Sequence, residues 1–293
     1  MMNRIKMWIL AFRPKTLTAA LVPIFGASAL TYSETGSWVW QWSLLALLAS
    51  FLIQIGTNLV NDAVDFMKGA DTSERIGPQR VTQSGIFSAK EVLMMASLLF
   101  ALAILCGIPL VLEGGWPILV VGVISVALGY GYTAGPYPLA YKGLGDLFVI
   151  LFFGLIAVSG LYYIQTRTVS LESVILGLQI GLHATVLIAI NNLRDSEGDR
   201  KVNKMTLAAR FGLSFGRYEI ACLTLLPFAL CVFWGFQSEF WAFLLPWAAL
   251  PLALKIVKLV FKTMPGPEYN QYLGMAAGLH LIFGLLLSVG LVL

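Results

Sequence analysis

Two short stretches of this 293-residue chain concentrate the side chains that hold a hard, oxygen-seeking dication. The first reads Asn58-Leu-Val-Asn61-Asp62-Ala-Val-Asp65-Phe-Met-Lys68-Gly69-Ala-Asp71 and follows directly on an apolar run. If the helix persists, Asn61 and Asp65 are four apart and Asp62 and Asp65 three apart, so all three share one face. Gly69 lets the chain turn and brings Asp71 back toward the same point. The second reads Asn191-Asn192-Leu-Arg194-Asp195-Ser-Glu197-Gly198-Asp199-Arg200-Lys201, again at the end of an apolar run, with Asn191, Asp195 and Asp199 recurring every four residues. Like charges at that spacing repel, and carboxylates at a membrane helix end cost free energy unless something cationic pairs with them.

Magnesium takes octahedral oxygen ligands, commonly one or two carboxylates completed by phosphate oxygens and water. Two facing Asn/Asp clusters suit that need, and Arg75, Arg80, Lys142, Lys201 and Lys204 supply cations for the remaining anionic oxygens. Diphosphate is the guest that this combination fits. A solvated loop also mixes acids with bases and would explain either stretch alone; two stretches of matching spacing on one side of a membrane favour a site. The repeated N-x-x-x-D helix ends, about half the protein apart, suggest two related halves around a central cavity.

The elements that must carry these residues are membrane helices. Hydrophobic residues make up 58% of the chain and charged ones 12%, against about 25% charged in an average soluble domain, so lipid must solvate most of the apolar side chains. No linker or low-complexity tract divides residues 1–293, which read as one polytopic domain. Apolar runs of roughly 17 to 25 residues predict spans near 17–32, 42–64, 92–112, 117–134, 146–164, 172–193, 219–236, 239–261 and 270–293. The fold class is therefore an all-α integral membrane protein of nine transmembrane helices around a central cavity.

The basic residues test that count. With the N-terminus cytoplasmic and the C-terminus outside, only Arg167 of the 19 Lys and Arg falls in an outer loop. Outer loops carry Glu34, Glu113, Glu172 and Glu239, and Trp38, Trp40, Trp42, Trp116 and Trp241 form an interfacial aromatic belt. The formal charge of +4 resides on inner loops and indicates no nucleic-acid partner. Arg13, Pro14 and Lys15 interrupt the apolar start, so no cleavable signal peptide is expected. Cys106, Cys222 and Cys231 lie in apolar runs as buried fillers, with neither a disulfide nor a zinc pattern. His183 and His280, each alone in a span, are expected to make interhelical hydrogen bonds.

At the acidic residues the sequence resembles the UbiA superfamily of membrane prenyltransferases, whose first motif, N-D-x-x-D, is matched by Asn61, Asp62 and Asp65. Many members place the next acid four residues on; here that position is Gly69 and the acid is Asp71, a spacing similar to the 1,4-dihydroxy-2-naphthoate polyprenyltransferase branch. Arg13-Pro-Lys-Thr-Leu17, Gly77-Pro-Gln-Arg80, Tyr132-Thr-Ala-Gly-Pro-Tyr-Pro-Leu139, Asn191-Asn-Leu-Arg-Asp195 and Lys204-Met-Thr-Leu-Ala-Ala-Arg-Phe-Gly212 resemble the same branch. The resemblance implies magnesium held by Asn61, Asp65, Asp71, Asn191, Asp195 and Asp199. It implies substrate contacts from Asn61, Asp62, Arg75, Tyr132, Asn191, Asn192 and Lys204, with Asp65, Asp195, Arg80 and Lys142 catalytic. Asp62 has an alternative place facing loop backbone.

The implied reaction moves a polyprenyl group from polyprenyl diphosphate to 1,4-dihydroxy-2-naphthoate with decarboxylation, at the cytoplasmic side of the cell's inner membrane. The product is of the demethylmenaquinone type, for menaquinone or phylloquinone. Tyr132, Tyr137 or Phe66 is placed to face the allylic cation, with ordinary packing the competing explanation for each. Other acceptors of the superfamily, homogentisate, 4-hydroxybenzoate or a porphyrin, form one rival reading. A secondary transporter forms another, but its acids would lie near the bilayer midplane and not at helix ends on one side.

Overall fold

The computed structural model describes residues 4–69, 76–77 and 80–293, so Asp71 and Arg75 lie outside the described residues. Every regular element among the described residues is helical. A short N-terminal helix, α1 (Arg4–Phe12), precedes α2 (Thr18–Thr35), α3 (Trp40–Met67), α4 (Ala89–Gly114) and α5 (Trp116–Gly131). After a loop come α6 (Gly145–Thr166), α7 (Leu171–Lys201), α8 (Leu207–Phe236), α9 (Phe240–Lys262) and α10 (Tyr269–Val292). Seven of these, α3, α4 and α6 to α10, are long and apolar enough to cross a membrane. The remaining two expected spans coincide with α2 and with α5, a shorter apolar helix.

Local chemistry explains where the helices start and stop. Ser88 and Glu91 form a reciprocal capping box at the start of α4, while the Ser170 and Thr206 hydroxyls cap α7 and α8. At the other end, α2 stops at Gly36 in the left-handed conformation. One boundary matters for function: α7 runs to Lys201, eight residues beyond the expected span end at 193. That extension keeps Asn191, Asp195 and Asp199 on one continuous helical stripe.

Helix α7 is the axis of the bundle. In its most apolar window 78% of residues are buried, compared with 22% in α4, whose apolar face is left to lipid. A large core joins α2, α6, α7, α8, α9 and α10, and a smaller one joins α1, α3, α4 and the loop residues Val81 and Phe87. Against α7, α6 widens into a π segment over Leu151–Ile156. There the backbones nearly touch: a Cβ on Gly154 would stand 2.3 Å from the Gly177 carbonyl oxygen.

One expectation needs correction. Only Cys231 of the three cysteines is buried; Cys106 is half-buried and Cys222 exposed, because an apolar position on a membrane helix can be solvated by lipid as well as by protein. His183 bonds across helices, to the Thr224 carbonyl at 2.9 Å, and buried His280 has the Thr18 backbone of α2 as its partner.

The α6–α7 crossing yields a direct test. Gly154→Val should destabilise the protein by roughly 2–3 kcal/mol, since the clash is with backbone that cannot step aside. Gly160→Ala, where a Cβ meets nothing within 4 Å, should leave the detergent unfolding midpoint unchanged or slightly raised.

Candidate active site

One face of α3 connects an apolar interior to a charged end. Ser50, Ile53 and Thr57 line a cavity whose other walls include Pro23, Leu128, Tyr132, Phe148 and Phe152. Continuing from Thr57 in steps of four, the same face presents Asn61 and then Asp65. The π segment of α6 turns both Phe152 and Phe153 to the cavity, an effect that an unbroken α-helix would not produce so readily.

Asp65 is 3% exposed and meets two groups from distant parts of the chain. Arg80 Nη2 pairs with Asp65 Oδ2 at 3.0 Å, and Arg80 Nη1 donates to the Asn61 carbonyl at 2.6 Å. The Tyr141 hydroxyl donates to Asp65 Oδ1 at 2.9 Å. Arg13 and Lys204 add their positive fields. Burial, then the Asp65 carboxylate, pushes the Tyr141 phenol far above its ordinary value, so it remains a donor at any physiological pH.

The second stripe reaches the same place. Residue Asn203, left-handed at φ 56°, reverses the chain after α7 and returns Lys204 to within 3.4 Å of Asp199 Oδ1. The Lys204 ammonium lies 5.9 Å from the Tyr141 ring centroid, and that of Lys68 lies 4.3 Å from it. Met205 N–H donates to the Tyr141 carbonyl at 3.1 Å. One aromatic residue thus stands between the two acidic segments and touches the cations of both. Asp195 is gripped at both oxygens by Arg194, at 2.8 and 2.6 Å. Arg194 also donates to Asn270 Oδ1 at 2.7 Å, and Asn270 donates to the Ile76 carbonyl at 3.3 Å, tying α10 to α7 and to the loop after α3.

The structure therefore brings together Asn61, Asp65, Arg80, Asp199 and Lys204, with Tyr132 at the junction of site and cavity, in the field of Asp65 and Asp199. Asn191, Asn192 and Asp195 follow on the half-buried surface of α7. Asp62 turns elsewhere: its oxygens accept from the Val81 and Thr82 amides at 3.2 and 3.1 Å, the loop-backbone alternative. Lys142 is also directed away, its ammonium 5.4 Å from the centroid of exposed Tyr137, because the turn that points Tyr141 inward points its neighbour outward. Phe66 and Tyr137, 42% and 60% exposed, do not line the cavity, which leaves Tyr132 of the three aromatics considered. Tyr141, Thr133, Lys68 and Asn270 were missed. Thr133 donates to the Asn61 side chain, and Lys68 to the Thr133 carbonyl at 2.7 Å. Tyr141 alone had a sequence signal, its place beside the basic residue at 142.

The donor set fits magnesium of the kind that shares its shell with phosphate. Asp199 Oδ2 is buried with no hydrogen-bond partner among the described residues, as expected for an oxygen facing a cation. Among those residues no three carboxylate or imidazole groups form a closed protein cage. Such an arrangement leaves coordination positions for diphosphate oxygens and water.

Residues 20–270 match the UbiA prenyltransferase family. The chain is 36% identical to the 1,4-dihydroxy-2-naphthoate octaprenyltransferase of Haemophilus influenzae, covering 99% of this chain and 96% of that protein. It is 34% identical to the Escherichia coli protein of the same description, with the same coverage. Its fold is similar to an apo UbiA homolog from Aeropyrum pernix, with TM-score 0.71 and 15% identity over 94% of this chain and 97% of that one. A UbiA homolog from Archaeoglobus fulgidus, bound to DMAPP and Mg2+, gives TM-score 0.62 and 16% identity over 97% and 99%.

Asp62 and Asp65, three residues apart, should separate cleanly. Asp62→Ala strands two backbone donors and should cost roughly 2–3 kcal/mol, with earlier proteolysis near residues 80–84. Asp65→Asn should leave that loop protected, read by the same digestion and by thermal unfolding.

Proposed function

The chain belongs to the UbiA prenyltransferase family, and we propose that it joins a polyprenyl group from polyprenyl diphosphate to 1,4-dihydroxy-2-naphthoate. It is a prenyltransferase of quinone biosynthesis, and its product is of the demethylmenaquinone type. The observation that carries the proposal is the meeting of two Asn/Asp stripes and their basic partners at the mouth of an apolar cavity.

In this reading Asn61, Asp65, Asn191, Asp195 and Asp199 hold magnesium, joined by Asp71 from outside the described residues. Magnesium, when bound, supplies charge neutralisation to the departing diphosphate. Arg80 and Lys204 exchange their carboxylate partners for diphosphate oxygens, and Arg75 joins them. The cavity holds the prenyl tail, with Tyr132, Phe148 and Phe152 presenting aromatic faces near the allylic carbon. The allylic C–O bond breaks, a ring carbon bonds to the allylic carbon, and the ring carboxylate leaves as CO2, its bonding pair restoring the ring. Tyr141 keeps Asp65 oriented throughout.

The membrane placement belongs to the same proposal. Nine spans cross the bacterial inner membrane as a single domain, with the N-terminus and the acidic end cytoplasmic and the C-terminus outside. Support comes from the distribution of basic residues and from the separate polar contacts at the other end, where Arg167 pairs with Glu113 and the Val39 amide donates to Gln165 at 2.9 Å.

Purified protein in liposomes with magnesium, polyprenyl diphosphate and dihydroxynaphthoate should yield the prenylated, decarboxylated product by mass. EDTA should abolish it, and Asp65→Ala or Asp195→Ala should lower kcat/KM by at least about 100-fold. Full activity in either variant would remove the metal site, and turnover of homogentisate or 4-hydroxybenzoate alone would replace the acceptor. Tyr141→Phe should slow turnover by roughly tenfold, and by the same factor from about pH 6 to 9, because the elevated phenol stays protonated throughout that window.

A further inference from the structure

The last two turns of α9 carry Lys255, Lys258 and Lys262, spaced three and four residues apart and so stacked on one face of the helix. All three are exposed, together with Leu254 and Phe261, while Ala253, Ile256 and Val260 on the opposite face are buried against the bundle. The outward face of a membrane helix meets lipid, so lipid must cover this cationic stripe.

Several cations at this end of the bundle have partners within the protein. Arg80, Arg194 and Lys204 pair with Asp65, Asp195 and Asp199, and Lys68 donates to the Thr133 carbonyl. Among the described residues the three lysines of α9 make no hydrogen bond, ion pair or ring contact. The carbonyls at the end of their own helix, the usual local partners, are already taken. Arg217 of α8 donates to the Val260 and Thr263 oxygens at 3.0 and 2.9 Å, and the Tyr269 hydroxyl donates to the same two at 3.3 and 3.2 Å.

Depth adds a constraint that loop lysines escape. Lys255 lies seven residues before Lys262, about 10 Å along the axis, so its stem runs over apolar surface and its ammonium must rise to the headgroup level. Tyr218 of α8, edge-on to Phe261 with ring centroids 5.3 Å apart, adds an exposed interfacial aromatic beside the stripe. This is the end that bears the acidic site, since Asn270 in the first turn of α10 bonds Arg194 beside Asp195.

Charge decides the occupant. A second copy of the chain docking here about a two-fold axis would set two like-charged stripes against each other. The cavity proposed for the prenyl tail is lined from α2, α3, α5, α6 and the loop between the last two, and by no residue of α9. We propose that this face binds anionic phospholipid, the headgroup phosphodiesters accepting from Lys255, Lys258 and Lys262 while the acyl chains lie along Leu254 and Phe261. The site is separate from the acidic site and does not depend on the proposed reaction. Its lipid secures the α8–α9 corner from outside, as Arg217 secures it from within.

Native mass spectrometry of the full-length protein in neutral detergent, titrated with phosphatidylglycerol or with phosphatidylcholine of the same acyl chains, reads the binding. Wild type should hold phosphatidylglycerol at least about tenfold more tightly, since each lysine near an anionic surface strengthens attachment by roughly fivefold. That preference should vanish when Lys255→Gln, Lys258→Gln and Lys262→Gln are combined, and survive when the same three positions are changed as K255R, K258R and K262R. It should also survive Lys90→Gln, which removes an exposed charge at the start of α4. Lys258→Gln alone, at the middle of the stripe, should weaken phosphatidylglycerol binding by roughly fivefold and decides the matter if the triple glutamine variant does not fold. No preference in wild type, a preference that persists in the glutamine variants, or an equal loss in Lys90→Gln overturns the assignment. Displacement of bound phosphatidylglycerol by equimolar farnesyl diphosphate, or a lysine-dependent dimer in place of a lipid adduct, gives this face another occupant and overturns it as well.

Discussion

Carboxylates at the end of a lipid-embedded bundle must be matched by positive charge, and most of this fold's polar architecture follows from that constraint. In the described structure each principal acid already has its counter-charge: Asp65 has Arg80, Asp195 has Arg194, and Asp199 has Lys204. These pairs neutralise the site from within. A guest that combines a dication with an anion offers both partners of each pair a replacement at once, so the charges need only be re-paired and are never left bare. The same guest without its metal would satisfy the bases and abandon the acids.

Keeping such pairs in register demands connections between elements far apart in sequence. Buried ion pairs contribute little net stability, but breaking one leaves an uncompensated charge, which makes them strong arbiters of geometry. The Arg80–Asp65 pair anchors the loop before α4 to α3, and Asp62 holds the backbone of that loop two residues away. Tyr141 joins the 139–141 turn to Asp65 through its hydroxyl and to Met205 through its carbonyl. Asn270 closes the ring by reaching Arg194 and Ile76 together. The site is assembled by loops, but the loops are fixed by charges on helix ends.

This division explains what was legible in the sequence. Apolar length and the spacing of Asn61, Asp65, Asn191, Asp195 and Asp199 are one-dimensional signals, since helical geometry converts a period of four into a face without tertiary information. Each expected apolar run is helical, though α7 ends eight residues later and α8 begins twelve residues earlier than expected. Direction is a different matter. Asp62 lies three residues from Asp65 yet faces loop amides, because neighbouring helical positions diverge by enough to meet different partners. Lys142 was chosen for its charge, but the turn geometry that sends Tyr141 inward sends Lys142 toward Tyr137. Asn270 carries no local signal whatever; its part depends on where α10 begins relative to α7.

The alignment of cavity and charge on a single helix face answers a problem posed by the substrate class. A polyprenyl diphosphate is a long apolar chain with a highly charged head, and the reacting carbon sits at their boundary. On α3, Ser50 and Asp65 are separated by fifteen residues, hence about 22 Å along the axis, with Ile53, Thr57 and Asn61 between them on one side. The tail can therefore lie along the same rigid element that presents its head to the cations. Because α3 carries both contacts, any error in depth moves the tail and the head together, and the reacting carbon stays at the boundary where Tyr132 and the start of α6 meet it. Rigidity of a single helix does here what a mobile lid does in enzymes whose site is divided between domains.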